Sequence, residues 1–517
     1  MEALVREGGG WGVDEVTELG VIAASATAQR WGELADRNIP VLHAHDRYGN
    51  RIDEIEYDPA YHELMRVAIA HGLHGAPWAD DRPGAHVVRA AKMSVWTPEP
   101  GHVCPISMTY AVVPALRHNP ELAAVYEPLL TSRVYDPELK VPATKAGITA
   151  GMSMTEKQGG SDVRAGTSQA VPNGDGSYTL TGHKWFTSAA MSDVYLVLAQ
   201  APGGLSCFFL PKILPDGTRN RMFIQRLKNK LGNHANASSE IEYDGATVWL
   251  VGEEGRGVPT IIEMVNMTRL DCTLGSATSM RQGLATAMHH VQHRKAFGKY
   301  LIDQPLMRNV IADLAVEAEA ATIVAIRMAG ATDAATRGDE RETMLRRIGL
   351  AASKYWVCKR ATPHAAEAME CLGGNGYAED SGMPRLYREA PLMGIWEGSG
   401  NVSALDALRA MATRPECVAV LFDELATTTG QDARLDAHVD GLRSSLSDPQ
   451  TLEYRARKIA EDISLALQGS LLVRHGHPAV TDAFLASRMA GEWGGAFGTL
   501  PTGLDLAPII ERALVKG

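Results

Sequence analysis

Apolar side chains return every three or four positions along Tyr61-His62-Glu63-Leu64-Met65-Arg66-Val67-Ala68-Ile69-Ala70, the spacing of one buried helix face. Most of residues 1–147 reads as helix and loop, with frequent proline breaks. From about 148 the pattern shortens to β-prone runs: Tyr178-Thr179-Leu180-Thr181, Val194-Tyr195-Leu196-Val197-Leu198 and Cys207-Phe208-Phe209-Leu210. Asn173-Gly174-Asp175-Gly176 and Pro215-Asp216-Gly217 punctuate them as turns. Helical periodicity resumes at greater length from 258, notably over the alanine-rich stretch Asp313 to Met328, where Glu317 and Glu319 stand among apolar positions. It continues beyond Thr413-Arg414-Pro415, with Tyr454 to Leu472 its clearest amphipathic stretch. The pattern predicts an α+β chain in four parts: an N-terminal helical domain (1–147), a middle β domain (148–257), a helical bundle (258–415) and an additional helical domain (416–517).

At roughly 150 residues per domain, a chain of 517 accommodates these four parts. Fifty basic against sixty-one acidic residues give a net charge of −11, so the molecule as a whole repels polyanions and anionic membranes. Hydrophobic residues at 45% and charged ones at 21% are ordinary for a globular protein and argue against disorder. The six cysteines form no CxxC pair, which excludes a spelled-out zinc ribbon or redox dithiol. Met1-Glu2-Ala3-Leu4-Val5-Arg6-Glu7 lacks the basic and apolar segments of a leader, and no run of 18 apolar residues occurs. A cytoplasmic protein with free thiols and no membrane partner is expected.

Three familiar motifs fail. Gly374-Asn375-Gly376 and Gly398-Ser399-Gly400 lack the third glycine of a dinucleotide fingerprint. Ser399 has Glu397 where a hydrolase elbow needs glycine. His289 and His293 have the spacing of two metal ligands, but no glutamate lies between them in the HExxH position and Arg294 and Lys295 follow at once, so no metal site is assigned.

Four other segments fit together. Met152-Ser153-Met154-Thr155-Glu156-Lys157-Gln158-Gly159-Gly160-Ser161-Asp162 and Gly182-His183-Lys184-Trp185-Phe186-Thr187-Ser188 lie in the β block. Arg294-Lys295-Ala296-Phe297-Gly298, with Gln304 downstream, and Glu370-Cys371-Leu372-Gly373-Gly374-Asn375-Gly376-Tyr377, followed by Trp396-Glu397-Gly398-Ser399-Gly400-Asn401, lie in the helical part. In this order they resemble the T-E-x-x-x-G-S-D, G-x-K-x-W-I-T/S, R-x-x-F-G and Y-E-G-T segments of the acyl-CoA dehydrogenase family, flavoproteins that desaturate acyl thioesters. The likeness is strong over about 148–415 and weaker in the flanks.

The resemblance implies the acyl-CoA dehydrogenase-like fold, with the middle domain barrel-like, and FAD as cofactor. Met154, Thr155, Gly160, Ser161, Trp185, Thr187, Ser188, Arg294, Phe297, Gln304, Gly373, Gly374, Ser399 and Asn401 would bind it. Hydroxyls, a stacking aromatic and close-approaching glycines suit a flavin ring, and a planar guanidinium suits a diphosphate. In the family the R-x-x-F-G segment reaches the cofactor across a subunit interface, and a homotetramer is implied. Glu397 is the expected catalytic base: α,β-desaturation needs a desolvated carboxylate to take the α proton while hydride leaves the β carbon for flavin N5. One branch places its base before an arginine on an earlier helix, but here that site reads Met267-Thr268-Arg269, and threonine cannot serve.

Leu227-Lys228-Asn229-Lys230-Leu231-Gly232-Asn233, the segment Ile395 to Asn401 and the added C-terminal helices resemble a branch of this family tied to the adaptive response to DNA alkylation. That likeness implies weak dehydrogenase activity on a short branched acyl-CoA of the isovaleryl type. The alternative it carries is a DNA-associated flavoprotein that protects against alkylation damage with little turnover, binding double-stranded DNA through the C-terminal region. A family member recruited to an unusual acyl or amine substrate is the third reading. Residues 440–517 hold eight basic and nine acidic side chains, with Arg455, Arg457, Lys458 and Arg409 the candidate phosphate-binding cluster. His234 stands where the family often has arginine, leaving its surroundings less positive.

Overall fold

A computed structural model describes residues 1–514. The chain divides into two compact units, Gly12–Thr268 and a second formed by Met1–Trp11 with the chain from Arg269 onward.

In the first unit a seven-stranded sheet has the order β3-β5-β4-β6-β7-β9-β8, with further pairings β3–β6 and β5–β9. Its strands are β3 (Ala150–Ser153), β4 (Gln169–Pro172), β5 (Ser177–Thr187), β6 (Val194–Ala201), β7 (Gly204–Pro211), β8 (Met222–Leu227) and β9 (Ser239–Val251). The extra pairings close a circuit through β5, β9, β7, β6 and β4, so the sheet is barrel-like, and its interior holds Leu180, Tyr195, Val197, Phe208, Leu210, Ile241 and Val248. Fully burying side chains of this size contributes about 1.5–3 kcal/mol each. The register of β5 slips at Leu180/Thr181 and again between Lys184 and Thr187, and such bulges re-aim the side chains beyond them. Helices including Pro59–Ala70 and Val103–Leu116 complete the unit.

An antiparallel hairpin, β1 (Val41–His45) and β2 (Arg51–Glu56), interrupts the region expected to be helix and loop. Its signal is masked because the buried face of β2 carries Asp53 beside Ile55, so the alternation of apolar and polar residues is broken by a carboxylate. Arg51 neutralises Asp53 through two bonds of 2.9 and 3.0 Å.

The second unit is helical. Gly338, at φ +88°, and Asp339, whose side chain accepts from Glu342 N at 3.0 Å, end the helix Pro305–Thr336 and start Glu340–Glu370. The helices Gly400–Thr413 and Ala456–His475 pack on the latter. Glu317 is explained here: it is buried against Arg488 (2.9 Å) and Arg360 (3.2 Å), and Arg488 also pairs with Asp313 at 2.5 Å. Burial opposes ionisation of Glu317, but the two guanidiniums win and bring its carboxyl down to about 2. Glu319 pairs with Arg512 at 3.0 Å. The C-terminal segment is therefore anchored to the alanine-rich helix by charge. All six cysteines are buried thiols, and no described helix is long and apolar enough to cross a membrane.

Candidate functional site

The T-E-x-x-x-G-S-D loop leaves the end of β3 and is organised by its own glutamate. Glu156, 2% exposed, accepts from Lys184 Nζ (2.8 Å), Thr167 N (2.6 Å), Ser168 N (3.1 Å) and Gln158 Nε2 (2.8 Å). Burial works against its charge, yet the Lys184 ammonium and the amide donors hold its carboxyl far below the usual range. Lys184 also donates to Met154 O (3.3 Å), and Trp185 N donates to Thr155 O (2.7 Å), so β5 fixes both residues at the mouth of the loop. Thr155 and Ser188 are half-buried, and Ser161 is exposed. A Cβ on Gly160 would stand 2.5 Å from Thr155 Oγ1, so only glycine leaves that hydroxyl clear. Trp185 is half-buried, with Lys228 Nζ 3.3 Å from its ring centroid; Glu240 holds that ammonium at 2.7 Å. Thr187 sits deeper, wholly buried, its hydroxyl bonded to Ser153 Oγ.

Glu156→Gln leaves the buried Lys184 without its carboxylate and should cost about 3–5 kcal/mol. The folded pKa of Glu156 lies below its unfolded value. Its stabilisation is therefore complete above an ordinary carboxylate pKa of about 4 and is lost only as pH falls through the depressed value. Acid unfolding of wild type and variant should thus differ by a gap that is widest near neutrality and closes only in strong acid.

In the helical unit, Arg294 precedes a two-stranded ribbon, Lys295–Ala296 with Lys299–Tyr300. Its tip, Phe297 and Gly298, takes φ of +51° and +81°, as a type I′ turn requires, and Phe297 is 98% exposed. Gln304 Nε2 donates to Ala296 O at 3.2 Å, tying the downstream residue to the ribbon. Gly373 and Gly374 are exposed after Glu340–Glu370, Gly373 at φ +58°.

Glu397, half-buried, has φ +58°, a conformation that non-glycine residues avoid. Three consecutive carbonyls hold it there. Lys354 Nζ donates to Trp396 O (2.9 Å) and to Gly398 O, and Arg269 Nε donates to Glu397 O (3.0 Å). Arg269 is itself fixed by Asp406 (2.6 Å), which Arg347 grips with two bonds of 2.9 Å. Burial alone would raise the Asp406 carboxyl, but the two guanidiniums keep it low. Cys272 is close enough to feel the glutamate: burial pushes its thiol well up, Lys354 opposes this, and Cys358 and Glu397 reinforce it. Ser399 begins the helix Gly400–Thr413 without capping it by its side chain, and Asn401 Oδ1 accepts from Arg457 Nε at 2.7 Å.

Lys354, Arg347 and Asp406 escaped sequence reasoning, and Arg269 entered only as the neighbour of an unsuitable base. The available signal was a lysine within the small, apolar run Ala351-Ala352-Ser353-Lys354-Tyr355, where a charge is expected to be buried and paired. The basic cluster expected for DNA is engaged within the protein: Arg455 with Ser445 and Asp448, Arg457 with Asn401, Lys458 with Asp462 and Arg409 with Asp406. His234 pairs with Asp36 at 3.2 Å.

Residues 1–137 match the family model for the adaptive response protein AidB N-terminal domain. Residues 151–246 match the acyl-CoA dehydrogenase middle domain and 255–412 the acyl-CoA dehydrogenase C-terminal domain. The chain is 43% identical over 489 residues to the AidB protein of Escherichia coli (strain K12), covering 93% of this chain and 89% of that one. It is 31% identical to acyl-CoA dehydrogenase family member 11 of Caenorhabditis elegans, covering 87% and 78%. The crystal structure of Caenorhabditis elegans ACDH-11 in complex with C11-CoA superposes with a TM-score of 0.84 at 28% identity, covering 93% and 87%. An acyl-CoA dehydrogenase from Bacillus anthracis complexed with FAD shares the fold, with a TM-score of 0.64 at 20% identity and coverage of 84% and 78%. With matched models along most of its length and a relative 43% identical over nearly the whole chain, this AidB-like chain belongs to the acyl-CoA dehydrogenase family of FAD-dependent oxidoreductases.

Proposed function

We propose that this protein desaturates the α,β bond of a short branched acyl-CoA, with Glu397 as the base that takes the α proton. The observation that carries this reading is the clamping of three successive carbonyls around Glu397 by Lys354 and Arg269, which spends binding interactions on one carboxylate in a strained backbone. The donor set suits FAD: Thr155, Ser161 and Ser188 offer hydroxyls, Gly160 leaves Thr155 unobstructed and Trp185 offers an aromatic face. Thr187 belongs to the same assigned set, its hydroxyl buried and bonded to Ser153 Oγ. From the helical unit, Arg294, Phe297, Gln304, Gly373, Gly374, Ser399 and Asn401 would hold the cofactor, and in a homotetramer the residues of the 294–304 ribbon would serve that of a neighbouring subunit. FAD supplies the hydride acceptor. The protein's part is to hold the thioester so that the α proton meets a carboxylate whose backbone cannot turn away.

The C11-CoA held by the Caenorhabditis elegans relative supports an acyl thioester as substrate class. The alternative of duplex DNA binding gains less, because Arg455 and Arg457 are hydrogen-bonded to Ser445 and Asn401, which leaves only Lys458 and Arg409 largely exposed in weak surface pairs. The test is direct. The purified protein should be yellow, and under anaerobic conditions isovaleryl-CoA should bleach it faster than straight-chain acyl-CoAs up to eleven carbons. Colour without bleaching by any thioester would remove the dehydrogenase reading, and a colourless protein that takes up no FAD would remove the cofactor as well.

A further inference from the structure

Side chains from three strands converge on Glu240 of β9. On one flank Lys184 pairs with Ile241 and Thr187 with Ser239, so two residues of β5, Trp185 and Phe186, stand opposite this single glutamate. Such a bulge breaks the alternation that would send consecutive side chains to opposite faces of the sheet. On the other flank Arg226 of β8 pairs with Glu240 in register, and Lys228 N, donating to Ser238 O at 2.7 Å, carries the ladder past the end of the strand. Lys228 lies two residues beyond Arg226 and so returns to the face of Glu240. One ammonium therefore meets two consecutive aromatic rings: its Nζ lies 3.3 Å from the Trp185 centroid and 4.5 Å from that of Phe186.

Glu240 Oε1 accepts from Lys228 Nζ and from Arg226 Nε, each at 2.7 Å. The two cations differ in burial. The Arg226 side chain is 64% exposed, that of Lys228 only 11%, and that of Glu240 12%. An exposed pair such as that of Arg226 is screened by water and restrains little, and its guanidinium carbon is 5.8 Å from the Trp185 centroid. A largely dehydrated ammonium against an indole face is a stronger and more directional contact. Trp185 N donates to Thr155 O at 2.7 Å, which ties the main chain to the T-E-x-x-x-G-S-D loop but leaves the side-chain torsions free. Lys228 supplies the missing restraint. It occupies one face of the indole, so only the opposite face and the ring edge remain for a cofactor.

We infer that Lys228, itself held by Glu240, is a positioning residue that fixes the Trp185 ring in the orientation presented to the flavin. The inference deepens the FAD reading and rests on Trp185 lying against that cofactor. Its action passes through the indole: the ammonium sets where the ring stands, and the ring makes the contact. The G-x-K-x-W-I-T/S segment alone cannot disclose this partner, because the ammonium arrives from the end of β8 and the carboxylate that holds it from β9.

An indole in contact with a flavin quenches its fluorescence by electron transfer, so the emission of bound FAD reports the placement of the ring without turnover. In the FAD-loaded full chain, Trp185→Leu should raise that emission several-fold. Lys228→Met keeps the stem and loses the charge; it should bring the emission part of the way to that of Trp185→Leu and weaken FAD binding about tenfold. Lys228→Arg, which restores a cation over the ring, should return both to within about twofold of wild type. Arg226→Gln, which removes the exposed cation from the same carboxylate oxygen, should match wild type. Circular dichroism checks the fold, and should Lys228→Met fail to fold, Glu240→Gln frees the ammonium and should shift the emission in the same direction. Unchanged emission and FAD affinity in Lys228→Met, with Trp185→Leu brightened, would overturn the positioning role alone, as would an equal rise in Arg226→Gln. Unchanged emission in Trp185→Leu would remove the contact between that ring and the flavin, and the inference with it.

Discussion

Glu397→Gln should keep its flavin yet lose about a hundredfold to ten-thousandfold in the rate at which an acyl-CoA bleaches it. Glutamine has nearly the shape of glutamate, and the bonds that place this residue run to main-chain carbonyls of 396, 397 and 398, which the substitution leaves in place. The variant therefore removes the proposed proton acceptor while preserving the turn. Single-turnover reduction separates this loss from substrate binding: the concentration giving half-maximal rate should change little, while the limiting rate falls. An unchanged limiting rate would take Glu397 out of the mechanism and leave the half-buried carboxylate as a structural feature of the loop.

The sequence disclosed the parts of this arrangement that are local. The change from helical spacing to short runs near 148, the turn residues between strands and the linear segments around Thr155, Trp185, Arg294 and Glu397 are each contained within a dozen residues, and the backbone follows them. What it concealed is what depends on distance along the chain. Lys354 reaches carbonyls more than forty residues away, and Arg269 one that is 128 residues away, and neither pairing leaves a local trace. Glu317 looks like an anomaly in an alanine-rich helix until Arg360 and Arg488 arrive from elsewhere in the chain. Thr187 shows the converse. Its motif position assigns it to the cofactor, and nothing local announces that its hydroxyl is buried against Ser153, beyond the register slip after Lys184. The hairpin at 41–56 was hidden because a paired carboxylate, Asp53, occupies a core position that hydrophobic periodicity counts as solvent.

Lys354→Met should destabilise the helical unit by about 2–4 kcal/mol and slow flavin reduction as well, because two carbonyls lose their donor and Glu397 loses its restraint. Lys354 is 1% exposed, so no water replaces the missing bonds without opening the packing around the helix Glu340–Glu370. The strain at Glu397 gives an independent readout. A non-glycine residue at φ +58° costs roughly 1–2 kcal/mol, which glycine does not incur. Glu397→Gly should therefore unfold at higher denaturant than Glu397→Ala, both lacking the carboxylate, by about 1 kcal/mol. If Lys354 serves to hold that strained turn, its loss should cost less once the strain is gone. Lys354→Met combined with Glu397→Gly should then be more stable than the sum of the single effects predicts, by at least about 0.5 kcal/mol, the size expected for residues that share a contact. Strict additivity would mean that Lys354 supports the bundle alone. It would also mean that the left-handed turn bearing the carboxylate is maintained by the remaining donor, Arg269, and by the packing of the helix that begins at Gly400.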